Sequence, residues 1–264
     1  MINFADLNWT YDEGTPFEKV GLACEPFDLC CNQIVGIAGS TGSGKSTFVK
    51  LVSGILDGRI RVTKENKEVL SSEVSYVFQQ PEHQLFEETV EAELEFALRN
   101  FRVDEESWPS LKIKALSHCG LADIPLDFYP LNLSGGQKRR LAIASVLVYE
   151  PQILILDEPL AGLDAESKKS LILLMRNYVS PSSLLLWVSH DHEALLEWAD
   201  QLILFHEGTI AHMGSVVHGI AKCPVANPIL KSFLNSKLTE NPSVSGSAIV
   251  HDLRRRANEE SLSI

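Results

Sequence analysis

Two hydrophobic patterns alternate along this chain. The first is a set of short, continuous apolar runs that stop abruptly: Ile34-Val35-Gly36-Ile37-Ala38, Ile153-Leu154-Ile155-Leu156 and Leu184-Leu185-Leu186-Trp187-Val188. Each reads as a buried strand, and the Ile153 run as one covered on both faces of a parallel sheet. The second pattern has helical spacing. Val90, Leu94, Ala97, Leu98 and Phe101 recur at steps of three or four on one face. Thr89 is placed to cap that helix, and Glu91 and Glu93 sit where the helix dipole favours acids. A second helix is expected from Pro109 to Cys119, with Gly120 as its stop.

Around these anchors the remaining elements fall into order. Residues 2–11 alternate with one slip and read as a strand, followed by the turn cluster Asp12-Glu13-Gly14-Thr15-Pro16. Phe27–Leu29, Arg59–Val62, Val74–Phe78, Gln201–Phe205 and Thr209–His212 are further strands, and Asn32-Gln33 is a turn. Helices are expected to begin at Thr47 and to cover Lys138–Tyr149, Ala165–Val179, His192–Ala199 and Asn227–Leu234. From Thr239 to Ile264 the composition shifts to Ser, Asn, Glu and Arg, including Arg254-Arg255-Arg256. That predicts a poorly ordered tail, with an amphipathic helix around Ile249–Ala257 as the second reading. The fold class is α/β. An α/β core with a mostly parallel sheet is expected to follow an N-terminal antiparallel β subdomain, with an α-helical subdomain inserted at about 85–135.

The chemistry begins where the first buried run ends. Gly39-Ser40-Thr41-Gly42-Ser43-Gly44-Lys45-Ser46-Thr47 fits the phosphate-loop template G-x-x-x-x-G-K-[ST] at every position. The strand before it and the helix after it turn the pattern into a mechanism. Glycines let successive N–H groups point inward, and the helix N-terminus adds partial positive charge. Lys45 brings a full charge to the outer phosphates, and the Ser46 hydroxyl can ligate magnesium.

The other buried strands end in chemistry as well. Asp157 and Glu158 close the Ile153 run, at the end of a sheet where α/β proteins bind ligands. Asp157 can hold a magnesium ion, mostly through its water shell, and Glu158 can orient or deprotonate a water for attack on a γ-phosphate. His190 ends the Leu184 run and Gln79 ends the Val74 run. Either can reach phosphate, metal or water, and either can equally be structural. Tyr11 precedes the nucleotide site in the chain; its position admits both an adenine-stacking ring and a core-edge tyrosine. Leu133-Ser134-Gly135-Gly136-Gln137 places a hydroxyl and two glycines at a helix N-terminus, which makes a second anion site. A chain that already has a phosphate loop has a use for this second site if it serves another subunit's nucleotide.

Bulk properties narrow the partners. The 264 residues are long for one domain and short for two, and the formal charge of −12 argues against a nucleic-acid surface. Five cysteines (Cys24, Cys30, Cys31, Cys119, Cys223) form no C-x-x-C pair, which suits reduced cytoplasmic thiols. The N-terminal residues lack a signal-peptide pattern, and no apolar run approaches the ~18 residues that span a bilayer. A role at a membrane therefore requires docking onto something that spans it.

Together these motifs resemble the ATPase subunits of ATP-binding-cassette (ABC) transporters. The resemblance covers about residues 1–215, in the family's motif order, and leaves 216–264 as an extension expected to be partly disordered. Leu133 to Gln137 looks like the family's signature motif. The resemblance implies ATP as substrate, Mg²⁺ held by Ser46, Gln79 and Asp157, Tyr11 against the adenine, and Gln79 at the hinge to the helical subdomain. It implies Glu158 as catalytic base and His190 as switch histidine, with Lys45 and Gln79 completing the catalytic set. Ala161-Gly162-Leu163-Asp164 is then the loop that crosses a dimer interface, and Ser134, Gly135, Gly136 and Gln137 act on the partner's ATP. The partner is a second ABC ATPase, as a homodimer or with a paralogue.

Phe78-Gln79-Gln80-Pro81-Glu82-His83-Gln84-Leu85-Phe86, Thr89-Val90 and Gly135 to Arg140 are more narrowly similar to energy-coupling-factor and cobalt-type importers of vitamins or transition-metal ions. In these, the segment after Gln79 meets the membrane subunit, so docking is expected near residues 80–95, at the cytoplasmic face of the membrane. Two positions depart from the family pattern: Leu160 replaces a Thr or Ser, and the turn at Asn32-Gln33 lacks a glycine. The competing readings are an ABC exporter, a soluble ABC ATPase of DNA repair or chromosome structure, a regulatory module that holds ATP without turnover, and a small-molecule kinase. The chain lacks the long coiled-coil or zinc-bearing insertions of the repair class. A kinase leaves Leu133 to Gln137 unexplained.

Overall fold

The computed structural model describes residues 1–56, 61–65, 67–69 and 73–261, so Arg59 and Ile60 of one expected strand lie outside the described residues. Five parallel strands form the centre of the molecule: β5 (Gln33–Gly39), β8 (Val74–Val77), β9 (Ile153–Asp157), β10 (Leu184–Val188) and β11 (Gln201–His206). With the antiparallel edge strand β12 (Thr209–Gly214) they run in the order β12-β11-β5-β10-β9-β8. The apolar runs are buried on both faces, as read from the sequence. Ile153 and Ile155 join one core cluster, with Val35 and Ile37. Leu154 and Leu156 join the other, with Leu185 and Trp187. Strand alternation produces this split, because successive side chains point to opposite faces.

The first face is covered by α1 (Lys45–Val52) and by antiparallel strands. The expected strand over 2–11 is two strands, β1 (Ile2–Ala5) and β2 (Leu7–Tyr11). They part at Asp6, whose φ of 58° no strand can accommodate. β1 joins the sheet β4-β1-β6-β7, with β4 (Phe27–Leu29), β6 (Arg61–Lys64) and β7 (Lys67–Glu68), while β2 pairs with β3 (Lys19–Cys24). β3 was not legible in the sequence because Lys19 and Val20 are exposed and Gly21 has no side chain, so no alternation shows.

Helices cover the second face. α2 (Val90–Asn100) and α3 (Trp108–His118) match the expected pair. Thr89 caps α2 by accepting a hydrogen bond from the Ala92 N–H at 3.0 Å, and Gly120 ends α3 with a φ of 62°. α4 (Gly135–Leu147) starts three residues earlier than the apolar pattern predicts, because Ser134 and Gln137 close a capping box on its first turn. α5 (Ala165–Tyr178) and α6 (His192–Trp198) follow their predicted spans.

The C-terminal part differs from the sequence reading. α7 (Val216–Lys222), α8 (Pro228–Glu240) and α9 (Gly246–Ser261) follow β12. β-branched residues and Gly219 hide α7 from a propensity argument. α9 agrees with the second reading, an amphipathic helix around Ile249–Ala257, rather than with the poorly ordered tail: Ile249 and Val250 are buried, and the helix packs on α6. The approach is close, since a Cβ on Gly246 would stand well inside contact distance of the Leu196 carbonyl oxygen.

Gly246→Ala should therefore lift α9 from α6. Overpacking of this kind costs ~1–3 kcal/mol, a drop of several degrees in unfolding midpoint for a chain this size. Hydrogen exchange of residues 246–253 should rise while exchange in β9 and β10 stays unchanged. Unaltered exchange in 246–253 would show that this contact does not hold the helix.

Candidate functional site

The phosphate loop starts from β5, which delivers Gly39 at the edge of the sheet. Gly39, Gly42 and Gly44 adopt φ of 146°, 77° and 109°, values that side chains rarely tolerate. A Cβ on Gly39 would lie 2.6 Å from Ser43 Oγ and against the Phe205 carbonyl. The Ser43 N–H donates to the Ser40 carbonyl at 3.1 Å and closes the turn. Lys45 opens α1 and folds back over the loop. Its Nζ donates to the Gly39 and Ser40 carbonyls, both at 2.8 Å. Burial pushes the Lys45 pKa down, and the Glu158 and Asp157 carboxylates oppose that shift. An ammonium tied to two carbonyls keeps a third N–H for a phosphate oxygen.

The carboxylates come from β9. Asp157 shares the strand parity of Ile153 and Ile155 and so emerges on the α1 side of the sheet. Its Oδ2 accepts a hydrogen bond from the Tyr76 hydroxyl at 2.7 Å. Glu158 follows with a left-handed φ of 49°, a conformation that costs energy in a glutamate. Its carboxylate is turned toward the end of β10. Oε1 accepts from the His190 backbone N–H at 2.7 Å, and Oε2 from the Ser189 hydroxyl at 3.3 Å. The His190 ring reaches Oε1 at 3.9 Å. Burial raises the Glu158 pKa, and His190 and Ser189 only partly counter it. A carboxylate raised this way is a stronger base when ionised.

These groups share one cleft of about 450 Å³. Tyr11, Thr41, Gly42, Gly44, Lys45, Ser46, Thr47, Gln79, Asp157, Glu158 and His190 line it, while Gly39, Ser40 and Ser43 form the loop behind Lys45. Tyr11 is 37% exposed, and its hydroxyl hydrogen-bonds Thr47 Oγ1 at 2.8 Å. Its ring lies over Gly21, where any side chain would collide with it. Ser46, Gln79 and Asp157 offer hard oxygen donors in this cleft. Among the described residues no group of three or more His, Cys, Asp and Glu is placed to hold a metal. One carboxylate, a hydroxyl and an amide oxygen suit magnesium, which takes its other ligands from water and phosphate.

Ser134 to Gln137 do not line this cleft. Ser134, Gly136 and Asp164 line a second one, of about 390 Å³, together with Arg139 and Arg140. Ser134 Oγ accepts from the Gln137 N–H, and Gln137 Oε1 accepts from the Ser134 N–H. Asp164 caps α5 by accepting from the Ser167 N–H at 2.8 Å, which holds its carboxyl below the usual range. Gly135 and Gly136 are different from the loop glycines. A Cβ on Gly135 would meet nothing within 4 Å, and one on Gly136 only Ser167 Oγ at 3.8 Å. This chain's own packing does not require either glycine.

Four contributors escaped the sequence reading. Ser189 holds Glu158, and Lys19 lines the same cleft from β3. Tyr76 holds Asp157. Arg139 is buried and joins three segments: it donates to the Pro159 and Ala161 carbonyls, to the Gln79 carbonyl, and to the Glu82 carboxylate at 3.1 Å. Only its place three residues after Gly136 hinted at a role.

The family described as ABC transporter matches residues 26–161. The energy-coupling factor transporter ATP-binding protein EcfA3 of Oenococcus oeni is 37% identical over 226 residues, 81% of this chain and 78% of the relative. EcfA2 of Clostridium perfringens is 39% identical over 230 residues, 81% of this chain and 80% of the relative. Among solved structures, cbiO1 of Clostridium perfringens, described as part of the ABC transporter complex cbiONQ, superposes with a TM-score of 0.72. It is 26% identical, and the match covers 96% of this chain and 98% of that one. A dimeric ATP-binding cassette bound to ADP and phosphate shares the fold, with a TM-score of 0.66 at 22% identity over 82% of this chain and 99% of that one.

Glu158 should titrate above the ordinary carboxyl value of 4.5, because burial disfavours its charged form. The Ser189 hydroxyl stabilises that charged form, so Ser189→Ala should move the midpoint further up. Carboxyl ¹³C NMR on labelled glutamate reads both values. A midpoint that stays or falls in the variant would contradict the assigned hydrogen bond.

Proposed function

The chain belongs to the ABC transporter family as an ATPase subunit, and from that premise we propose that it powers an importer of the energy-coupling-factor or cobalt type whose cargo is a vitamin or a transition-metal ion. The activity is hydrolysis of ATP to ADP and phosphate, coupled to transport. The relatives' names and the cbiO1 likeness support the importer class.

One observation carries the mechanism. The two anion sites of the chain lie in separate clefts, and the glycines of the second face open space. Gly135 and Gly136 occupy the first two positions of α4, where glycine is a poorer helix former than alanine. Open space around both is what a phosphate brought by another subunit would need. Each ATP then lies between Lys45 of one subunit and Ser134 and Gly136 of another, with Asp164 at the seam. The second ATPase is a copy of this chain or a paralogue. The ATPase unit is residues 1–215, with the helical part at 85–135, and 216–264 form an extension.

Within one subunit the division of labour follows from geometry. Tyr11 presents its exposed ring to the adenine. Loop N–H groups and Lys45 bind the phosphates. Magnesium, held through Ser46, Gln79 and Asp157, would neutralise charge on the outer phosphates. Glu158 accepts the proton of the attacking water while His190 and Ser189 keep its carboxylate in place. As water adds to the γ-phosphorus, the bond to the bridging oxygen breaks and ADP leaves. His190, more than half exposed, is free to reach the γ-phosphate.

Docking onto the membrane subunit is placed at residues 80–95. Phe86 is 61% exposed and packs edge-on against the exposed ring of Phe96 at 4.8 Å. An apolar pair left in water beside the Gln79 turn suits a partner surface. No helix among the described residues is long and apolar enough to cross a membrane. The proposed location is the cytoplasmic face, held by the membrane subunit.

Glu158→Gln should keep ATP binding, lower turnover by at least 10²-fold, and hold an ATP-bound dimer visible by size exclusion. Turnover at the wild-type rate would remove Glu158 as the base. Replacing Gln84, Leu85 and Phe86 together by alanine should abolish co-purification of the membrane subunit while ATP binding persists. Retained co-purification would move the interface elsewhere, and the identity of the captured subunit would report the cargo class.

A further inference from the structure

Tyr76 lies on β8, opposite Ile155 of the neighbouring parallel strand β9. Asp157 is two residues further along β9 and so points to the same face. The diagonal brings the Tyr76 hydroxyl to 2.7 Å from Asp157 Oδ2, as the donor. The ring is half-buried, packs against the core cluster that holds Ile153 and Ile155, and meets Phe78 edge-on at 4.5 Å. Its position is thus set by packing, and its hydroxyl is the only polar part. A hydroxyl facing a carboxylate oxygen can only donate, so the direction of this bond is fixed by the chemistry of the pair.

We propose that Tyr76 is a positioning residue for the metal half of the site: its hydroxyl fixes the Asp157 carboxylate in the orientation that holds magnesium on the nucleotide. This rests on the reading of Asp157 as the metal-holding carboxylate. The physical reason is the freedom of an aspartate at a strand end. Unheld, its carboxylate rotates among orientations, only some of which serve a hydrated ion. A hydrogen bond to one oxygen removes that freedom and leaves the other oxygen for the ion or its water. Partners of this kind change metal affinity by ~10–100-fold when removed. Phenylalanine at position 76 would fill the same volume, so the hydroxyl can be tested without disturbing the packing.

The experiment uses the intact chain and the fluorescent nucleotide mant-ATP. Binding is measured in EDTA and across a titration of free Mg²⁺, for wild type, Tyr76→Phe, Asp157→Ala and the double variant. Tyr76→Phe should raise the half-saturating Mg²⁺ about tenfold, with the EDTA affinity and unfolding midpoint unchanged. Asp157→Ala should raise it at least as far, and adding Tyr76→Phe to Asp157→Ala should change nothing more. If Asp157→Ala shifts the Mg²⁺ requirement and Tyr76→Phe does not, the Tyr76 proposal fails and the reading of Asp157 stands. If Asp157→Ala shifts nothing, that reading fails and takes the proposal with it. A loss of EDTA-state binding in Tyr76→Phe would mark a merely structural residue and overturn the proposal.

Discussion

Strand β9 lies between β8 and β10 in parallel pairing, and its two terminal acids take their partners from that pairing. Tyr76 of β8 reaches Asp157 on one side. The end of β10 supplies Ser189 and His190 to Glu158 on the other. A slip of one residue in either register would exchange the faces and break the bonds made across that pairing. The core enforces the register, because every residue of the Ile153–Leu156 run is fully buried and its alternate side chains fill two different clusters. Packing on both faces of the sheet thus sets the chemistry at its edge.

Arg139 applies the same logic to segments far apart in the chain. A buried guanidinium is tolerated only when its donors are satisfied. Here they are satisfied by two separate stretches, the Gln79 turn with Glu82 and the Pro159–Ala161 loop, while Arg139 itself belongs to the helix that begins at Gly135. Under the proposed function these are the docking side, the interface loop and the partner-facing anion site. Losing either set of contacts leaves part of a buried guanidinium unsatisfied, so both stretches are energetically tied to the helix that carries Arg139. The departures from the family pattern also have local explanations. Asn32 takes a φ of 63°, which asparagine tolerates better than most residues, so the missing glycine is not needed. Leu160 is buried in the helical-side core, where a hydroxyl would need a partner.

The sequence was most informative where function depends on local backbone. The phosphate loop is legible because its glycines, lysine and hydroxyl act within a few residues of each other. Thr89 announced its helix because a cap bonds an N–H two or three residues away. Continuous apolar runs identified the central strands because burial on both faces leaves no polar position. The same local view missed β3, α7 and the docking of α9, whose stability comes from surfaces supplied by other elements.

What the sequence alone determined is the chemical inventory and its order: a phosphate loop, two acids at one strand end, a histidine at the next, and a Ser-Gly-Gly turn that opens another helix. What only the tertiary structure decided is which group holds which. Tyr76 and Asp157 are 81 residues apart in the chain, and only the β8–β9 register brings them to 2.7 Å. The separation of the phosphate loop and the Ser134–Gly136 turn into two clefts is likewise a property of the folded chain. Periodicity encodes the conformation of each element. The contacts between elements depend on register and packing across the whole core, which no short stretch of sequence contains.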